Sequence, residues 1–553
     1  MRIAILSTLA SGGAGAAAWR ISSALTDIGH ECSFFILEGS GNPLHIPLLG
    51  NDSAFWLPAL FKYWSDLTTP ETLSANAVEL FSDTLTALAP LGSLPEAIRN
   101  AEVIHLHWVA GMVFSPSLLQ AMASKKVVWT LHDENAFTGG CHYAGTCRGF
   151  ETICRDCPLI KRTGKDDASA RCFSLKAELY PLLSPSLVAP SAWLAEKVKG
   201  SVLFKNYPVT TIPNPLAIES FRPPQDRYEL RKKLGLPEDA FVILSGCEDL
   251  SNPRKNAKIL FEALTLLSEE ALDAPVTVVT YGHGQPPELA FPIHHFGYVD
   301  NETRMAELYG AAEIFVHTSL QDNLPLTLCE AQACGTPTLC FNVGGCPETM
   351  LPGETGFLVT ETSSQALAEK LKGIIADRGS LTGMREAARA FAERRFDPAT
   401  IAVAYTEVFE KAQIAPGLKP DDPLFDELVQ NQIASLASFL SDVNKRIDNR
   451  LDGLEARLSG LEARLDGFET RFGGLDARLG EFDARHDRFE TRFGGLDARL
   501  DEFDARVDGL DARFGKVDAR LSMLEMFRWN LRHPFLWFFR KLRSKLRKSD
   551  IQG

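Results

Sequence analysis

Asp322 to Gly345 reads DNLPLTLCEAQACGTPTLCFNVGG, and this stretch decides how the chain folds. An acidic residue stands eight positions before Glu330. The small residues from Ala331 to Pro337 follow, then the apolar run Thr338 to Phe341, then Gly344-Gly345. Physically this is a loop feeding a helix that begins near Pro325, then a buried strand and a glycine turn. A helix start there turns backbone N–H groups that lack helical partners toward a polar or anionic group in front of it. Taken alone, the stretch also fits an ordinary helix–strand unit with a surface Asp.

Working outward, the same alternation of strand and helix runs through most of the chain. Arg2 to Leu6, Cys32 to Leu37, Val103 to Leu106 and Val127 to Leu131 read as strands between helical patterns. It resumes with a strand at Phe241 to Ser245, a helix at Asn256 to Leu267, and strands at Val276 to Tyr281 and Ile314 to His317. Such alternation predicts parallel sheets with helices on both faces. The fold class is therefore α/β, with two Rossmann-like doubly wound domains at 1–190 and 191–392. Their strand C-termini are expected to border one cleft, where sheets of this kind bind ligands. Residues 393–414 contain a further helix from Pro398 to Ala412, and 415–432 begins with a proline-rich linker, APGLKPDDP.

The Asp322-to-Gly345 stretch resembles the acid-x7-Glu signature of retaining glycosyltransferases of the two-Rossmann-domain (GT-B) type, family 4. Glu usually opens that signature; here Asp322 is one methylene shorter. The resemblance covers roughly residues 1 to 412. It implies that 191–392 binds a nucleotide-sugar donor of the UDP or GDP type, and that 393–414 crosses back to the first, acceptor-side domain. Glu330, more than a turn inside its helix, is placed to accept hydrogen bonds from a ribose diol. Asn323, Leu324 and Pro325 are the adjoining donor-binding positions.

Arg254-Lys255, in SNPRKNAKILFEAL, match the family's Arg/Lys-Lys-Gly pattern, with Asn256 in place of the glycine. Cations there suit a departing diphosphate. Where a further Arg is common, this chain has Gly246-Cys247-Glu248. The loop SGGAGAAAWRISSAL resembles the first loop of colanic-acid-type members, which implies cleft contacts by Gly12, Gly13 and Gly15. His132, in VVWTLHDENAF, directly follows a strand, and the family places a histidine there facing the donor sugar. His107 ends the neighbouring strand, two residues after His105. His132 and Asp322 are the catalytic candidates. Neither histidine is assigned as a general base, because in the resembled enzymes the donor phosphate itself takes the acceptor proton. No Asp-x-Asp motif sits at a strand end, so the expectation is metal-independent transfer with no cofactor required for catalysis.

Cys141, Cys147, Cys154 and Cys157 lie within seventeen residues, with His142 beside the first. Four thiolates at this spacing can hold a structural zinc and pin a long loop; disulfides and free thiols are the other readings. Eleven cysteines, several in apparent core strands, suggest a reducing compartment. The net charge of -14 argues against nucleic-acid binding. The chain contains no run of eighteen or more apolar residues, and its first residues read as a strand entering a glycine loop.

From Leu451 to Phe527 the chain repeats every seven residues, LDGLEAR, LSGLEAR, LDGFETR and onward, within a helical segment placed at 433–527. With Leu451 as position a, apolar residues fill a and d except for His486 at one a, acids fill e and Arg nearly fills g. Parallel pairing sets each g Arg beside a partner's e carboxylate, so a long parallel coiled coil and a homo-oligomer are expected. About ten glycines at b and c soften it, each by roughly 0.5–1 kcal/mol. The end, 528–553, carries Phe535, Phe538, Phe539, Leu542 and Leu546 on one face after Pro534, with Arg540, Lys541, Arg543, Lys545, Arg547 and Lys548 around them. Such a helix suits an anionic membrane surface. The expected whole is a cytoplasmic transferase, peripheral at the inner face of the membrane. It would add a sugar to a glycan or lipid-linked glycan in bacterial surface polysaccharide synthesis. The rival expectation is a catalytically degenerate scaffold that organises such an assembly.

Overall fold

Seven parallel strands form the first sheet of the computed structural model, in the order β3-β2-β1-β4-β5-β6-β7. They are β1 (Arg2–Leu9), β2 (Glu31–Glu38), β3 (His45–Pro47), β4 (Val103–Leu106), β5 (Lys126–Thr130), β6 (Ser186–Ala189) and β7 (Val209–Thr211). The structure describes residues 1–10, 12–38, 45–47, 94–109, 116–161, 164 and 167–415, together with 441, 445, 448, 451–468, 474, 506 and 508–509.

The period-two alternation of a strand explains why this sheet is covered on both sides. Ile3 and Ile5 of β1 pack with Ala18 and Ile21 of the helix Gly12–Asp27, and with Tyr405 and Phe409 of the helix Pro398–Lys411. Ala4 and Leu6 enter the opposite core with Leu118, Phe137 and Leu179. The Pro398–Lys411 helix thus belongs to the first domain's packing. Its Tyr405 hydroxyl lies 3.0 Å from Thr130 Oγ1, and Lys126 Nζ donates to the Phe409 and Glu410 carbonyls at its C-terminal end.

The second sheet runs β10-β9-β8-β11-β12-β13, again parallel throughout. Its strands are β8 (Phe241–Asp249), β9 (Val276–His283), β10 (Ile293–His295), β11 (Ile314–His317), β12 (Thr338–Phe341) and β13 (Gly356–Val359). Val242 and Leu244 face one core, Phe241 and Ile243 the other. The helix beginning at Pro325 is present as Leu326–Ala333, with Pro325 as its N-cap residue.

The first domain extends past the boundary placed at 190. Strand β7 pairs with β6, and Leu194, Val198 and Phe204 share a core with Leu187. The short polar Ser191 start of the helix Ala192–Gly200 gave no break between domains because it is a helix cap inside the first one. The chain leaves that sheet through Pro213-Asn214-Pro215 and joins the second core at Leu216.

Residues 434–553 form a separate unit. Within it, residues 451–468 are helical, as the heptads require. Leu451 is 3% exposed, whereas the d-position residues Leu454, Leu461 and Phe468 are 44%, 49% and 46% exposed. Most of the 433–527 segment, nearly all of the 415–432 linker and all of the 528–553 tail lie outside the described residues.

Candidate active site

The C-terminal ends of β5 and β6 meet the loop after β11, and the contacts made there define the cleft. Asn323 lies at the centre. Its Nδ2 donates to the His132 carbonyl at 3.0 Å, and its Oδ1 accepts from Ser191 Oγ at 2.5 Å. Asn323 is therefore an interdomain bridge, with its amide already engaged. Around it, Gln321 Nε2 donates to Glu134 at 2.8 Å. Glu348 accepts from the Ala192 and Trp193 amides at 2.7 and 2.9 Å, so that a second-domain carboxylate caps a first-domain helix.

The glycine pair explains how the loop holds its shape. Gly345 N donates to the Asp322 carbonyl at 2.9 Å. A Cβ on Gly344, whose φ is +57°, would sit 2.1 Å from the Asp322 carbonyl oxygen; one on Gly345 would sit 1.7 Å from that of Asn323. Neither clash can be relieved by a rotamer, since both contacts are backbone. The glycines after β12 thus let the turn close against the Asp322-Asn323 segment.

On the second-domain wall, positive charge converges on Asp322. Lys255 Nζ lies 2.6 Å from Oδ2, Arg254 Nη1 3.3 Å and His317 Nε2 3.3 Å, and the Tyr143 hydroxyl reaches Oδ1 at 3.4 Å. Burial alone would raise the Asp322 carboxyl, but Lys255, His317 and Arg254 hold it well below the ordinary carboxylate range. Arg254 also stacks over the Tyr143 ring at 4.6 Å and donates to the Gln321 carbonyl at 3.0 Å. Both cations come from the turn before the helix Ala257–Ser268, where Asn256 takes a left-handed φ of +51°. Asn tolerates that conformation, which accounts for its standing where glycine is usual. Asp322 orients the two cations rather than facing an open cavity.

Glu330, a turn inside the helix Leu326–Ala333, is 9% exposed. Its Oε1 accepts from Arg20 Nη2 at 3.0 Å, and its Oε2 from the Tyr309 hydroxyl at 3.4 Å. Burial raises the Glu330 carboxyl despite Arg20. Leu324 is buried in the second core and Pro325 starts the helix without a side-chain cap.

The first-domain wall carries three uncharged histidines. His132 Nε2 and His107 Nδ1 share a proton at 2.9 Å, with the two rings stacked. Behind them, His105 Nε2 pairs with Thr130 Oγ1 at 2.8 Å. Burial pushes His132 down to about 4, with Asp133 partly opposing, and His105 to about 3. His107 is also depressed, first by burial and then by the other two histidines. Because His107 is 1% exposed, it does not line the cleft as expected but supports His132 from beneath. Of the loop glycines, Gly12 and Gly13 are exposed. Gly15 is buried, and a Cβ there would meet the Ala10 carbonyl carbon at 2.5 Å, so it serves close packing of helix on strand.

No disulfide joins the four clustered cysteines, and Cys147 and Cys154 flank Gly149. Among the described residues, no group of three or more His, Cys, Asp and Glu side chains is arranged to hold a metal ion. Several cleft residues carried no sequence signal: Arg20, Glu134 with its partner Lys197, Tyr143 and Ser191. Glu348 could have been singled out from Gly344-Gly345-Cys346-Pro347-Glu348, which places a carboxylate just past the glycine turn.

Two parallel-sheet α/β domains joined this way are like those of the GT-B glycosyltransferases, and the structure of sucrose-phosphate synthase from Thermosynechococcus elongatus shares the fold. That comparison gives a TM-score of 0.51 at 17% identity, covering 74% of this chain and 98% of the other. Residues 226–391 match the family described as Glycosyl transferases group 1. The D-inositol 3-phosphate glycosyltransferase of Streptomyces scabiei is 32% identical over 211 residues, 35% of this chain and 47% of that protein. The putative colanic acid biosynthesis glycosyl transferase WcaC of Escherichia coli is 23% identical over 287 residues, covering 50% and 68%. The chain thus spans about half the length of the first of these relatives.

Proposed function

We propose that this protein transfers a sugar from a nucleotide-sugar donor, with retention at the anomeric carbon and without a catalytic metal. The observation that carries this reading is the pairing of walls. Arg254 and Lys255 converge on Asp322 just ahead of the helix that holds Glu330, and Asn323 of the same segment bridges to the His132 carbonyl of the first domain. Two cations fixed by Asp322 would stabilise the departing nucleoside diphosphate, and Glu330 would accept the ribose hydroxyls. In the transfer, the bond from the anomeric carbon to the phosphate oxygen breaks and a bond to the acceptor oxygen forms. The acceptor proton passes to the leaving diphosphate, so no protein base is needed. His132, kept uncharged by burial, would shape the sugar pocket without competing for the diphosphate.

The likeness to WcaC supports an acceptor in exopolysaccharide synthesis, a glycan or lipid-linked glycan. The heptads support parallel self-association, and the basic, aromatic 528–553 supports peripheral attachment to the inner face of the cytoplasmic membrane. Among the described residues, no helix is long and apolar enough to cross a membrane.

Calorimetric titration of the protein with UDP and with GDP tests the core of the proposal. One nucleotide is expected to bind, and Glu330→Ala is expected to reduce transfer by about 10²-fold or more with the fold retained by circular dichroism. Binding of neither nucleotide would favour a non-catalytic scaffold instead.

A further inference from the structure

Arg20 sits on the first-domain helix Gly12–Asp27, yet its guanidinium lies in the second domain. Its Nη2 is bifurcated, 2.7 Å from Glu302 Oε1 and 3.0 Å from Glu330 Oε1. The guanidinium also stacks over Phe221 at 5.6 Å, and its Nη1 is buried without a protein hydrogen-bond partner. The side chain is 11% exposed and that of Glu330 12%, whereas Glu302 is 47% exposed. One arm of the bifurcated contact is thus buried against a carboxylate of the cleft, and the other is anchored to a solvent-facing carboxylate at the start of the helix Glu302–Ala311.

The two acceptors are chemically unequal. A vicinal diol gives one hydroxyl to each oxygen of a carboxylate, so a guanidinium held against one of those oxygens competes with it for lone pairs and space. Glu330 Oε1 is occupied by Arg20, and the 3.4 Å contact with Tyr309 leaves Oε2 only weakly engaged. Glu302 can hold the same guanidinium nitrogen alone, without breaking its 2.7 Å contact. We infer that Arg20 is a displaceable placeholder for the donor's ribose diol: the nucleoside takes Glu330 by turning Arg20 wholly onto Glu302. This rests on the assignment of Glu330 to the ribose, and it adds an affinity-determining residue supplied by the opposite domain. An internal competitor lowers apparent affinity by the fraction of molecules in which the site is occupied.

The consequence has an unusual sign. Arg20 is a cation near a site for an anionic nucleotide, so simple electrostatics says that removing it weakens binding. Displacement says the opposite. In the full-length protein, Arg20→Met is expected to lower the Kd for UDP or GDP about three- to tenfold. Arg20→Lys, which keeps a donor to both carboxylates, should stay within about twofold of the parent. Glu302→Gln leaves Arg20 with Glu330 as its one charged acceptor and should raise the Kd about threefold. A purely structural clasp would weaken binding in both the Arg20→Met and Glu302→Gln proteins. Weaker or unchanged nucleotide binding in Arg20→Met, with the fold intact by circular dichroism, overturns the inference. Glu330→Gln separates the two claims. If it weakens binding while Arg20→Met fails to tighten it, the placeholder is wrong and the ribose assignment stands. If Glu330→Gln leaves the affinity of the parent and of Arg20→Met unchanged, or no nucleotide binds to any of the proteins, both are wrong.

Discussion

The two walls of the cleft solve burial in opposite ways. On the second-domain wall, the one Asp322 carboxylate pairs with two cations, Lys255 and Arg254, over 2.6 and 3.3 Å. On the first-domain wall, three histidines are held uncharged, so that burial there costs hydrogen bonds rather than ionic desolvation. A prearranged ionic wall suits a leaving group on which negative charge develops. A neutral polar wall suits a sugar, whose hydroxyls need partners but carry no charge. On the proposed function the diphosphate meets the ionic side and the sugar the neutral one, and each half can be broken separately.

The largest effect is expected from the ionic wall. Lys255→Met removes the closest cation and leaves Asp322 with Arg254 and His317. Turnover is expected to fall about 10²–10³-fold, the size seen when one preorganised charge-stabilising group is lost. Nucleotide Kd should rise in parallel, since the same contact holds the ground-state diphosphate. A loss of turnover with unchanged Kd would move Lys255 from the diphosphate to another role.

His132→Phe breaks the other wall while nearly preserving its volume and stacking. Transfer should drop about 10–100-fold, with nucleotide Kd within about twofold of the parent, because the proposed function sets His132 against the sugar and not the diphosphate. Equal loss in both quantities would erase the distinction between the walls.

The neutral wall also predicts a pH window. His105 and His132 titrate near 3 and 4 in the folded protein and near 6.5 when unfolded. Above 6.5 neither state binds the proton at His105 or His132, and these two contribute no pH dependence there. Between 6.5 and about 4 the unfolded chain binds protons that the folded one refuses, so stability falls as pH falls. Each histidine contributes a slope of up to about 1.4 kcal/mol per pH unit. The Asp322 contribution lies in a lower window, lost only as pH drops below the unfolded carboxylate value of 3.8. Urea midpoints measured from pH 7.5 to 5 should decline, and His105→Phe should flatten the decline. A flat profile for the parent protein would mean that the buried histidines accept protons in place.

How much of this could be read from the chain alone follows the same division. The second-domain wall was legible because Asp322, Glu330, Arg254 and Lys255 stand in short motifs that resemble a known family's, on elements whose periods are visible in sequence. The strands and the return helix were equally legible, since Ile3, Ile5, Tyr405 and Phe409 announce their faces by periodicity. What was not legible is what crosses the cleft. Arg20 is an ordinary helix residue until Glu330 appears 310 positions later in front of it. Asn323 reads as a donor ligand until Ser191 and the His132 carbonyl are found against its amide. His107 reads as a cleft residue until His132 is seen to cover it. Pairings between distant segments leave no period, and they decide which side chains remain free for a ligand.

The subtlest test separates charge from shape within the ionic wall. Arg254 differs from Lys255 in what else it does: its planar group covers the Tyr143 ring at 4.6 Å and reaches the Gln321 carbonyl at 3.0 Å, while its contact with Asp322 is the longer of the two. Tyr143 belongs to the first domain and Gln321 to the second, so Arg254 holds the walls in register as well as supplying charge. Arg254→Lys keeps the cation and loses both the flat contact and the second donor, together about 0.5–1 kcal/mol at a half-buried site. Turnover should fall only about two- to fivefold, and Tyr143→Leu in the same background should add little, because the two side chains act as one unit. If Arg254→Lys instead costs as much as Lys255→Met, the guanidinium fork itself must grip the diphosphate, and the division of labour between the two cations disappears.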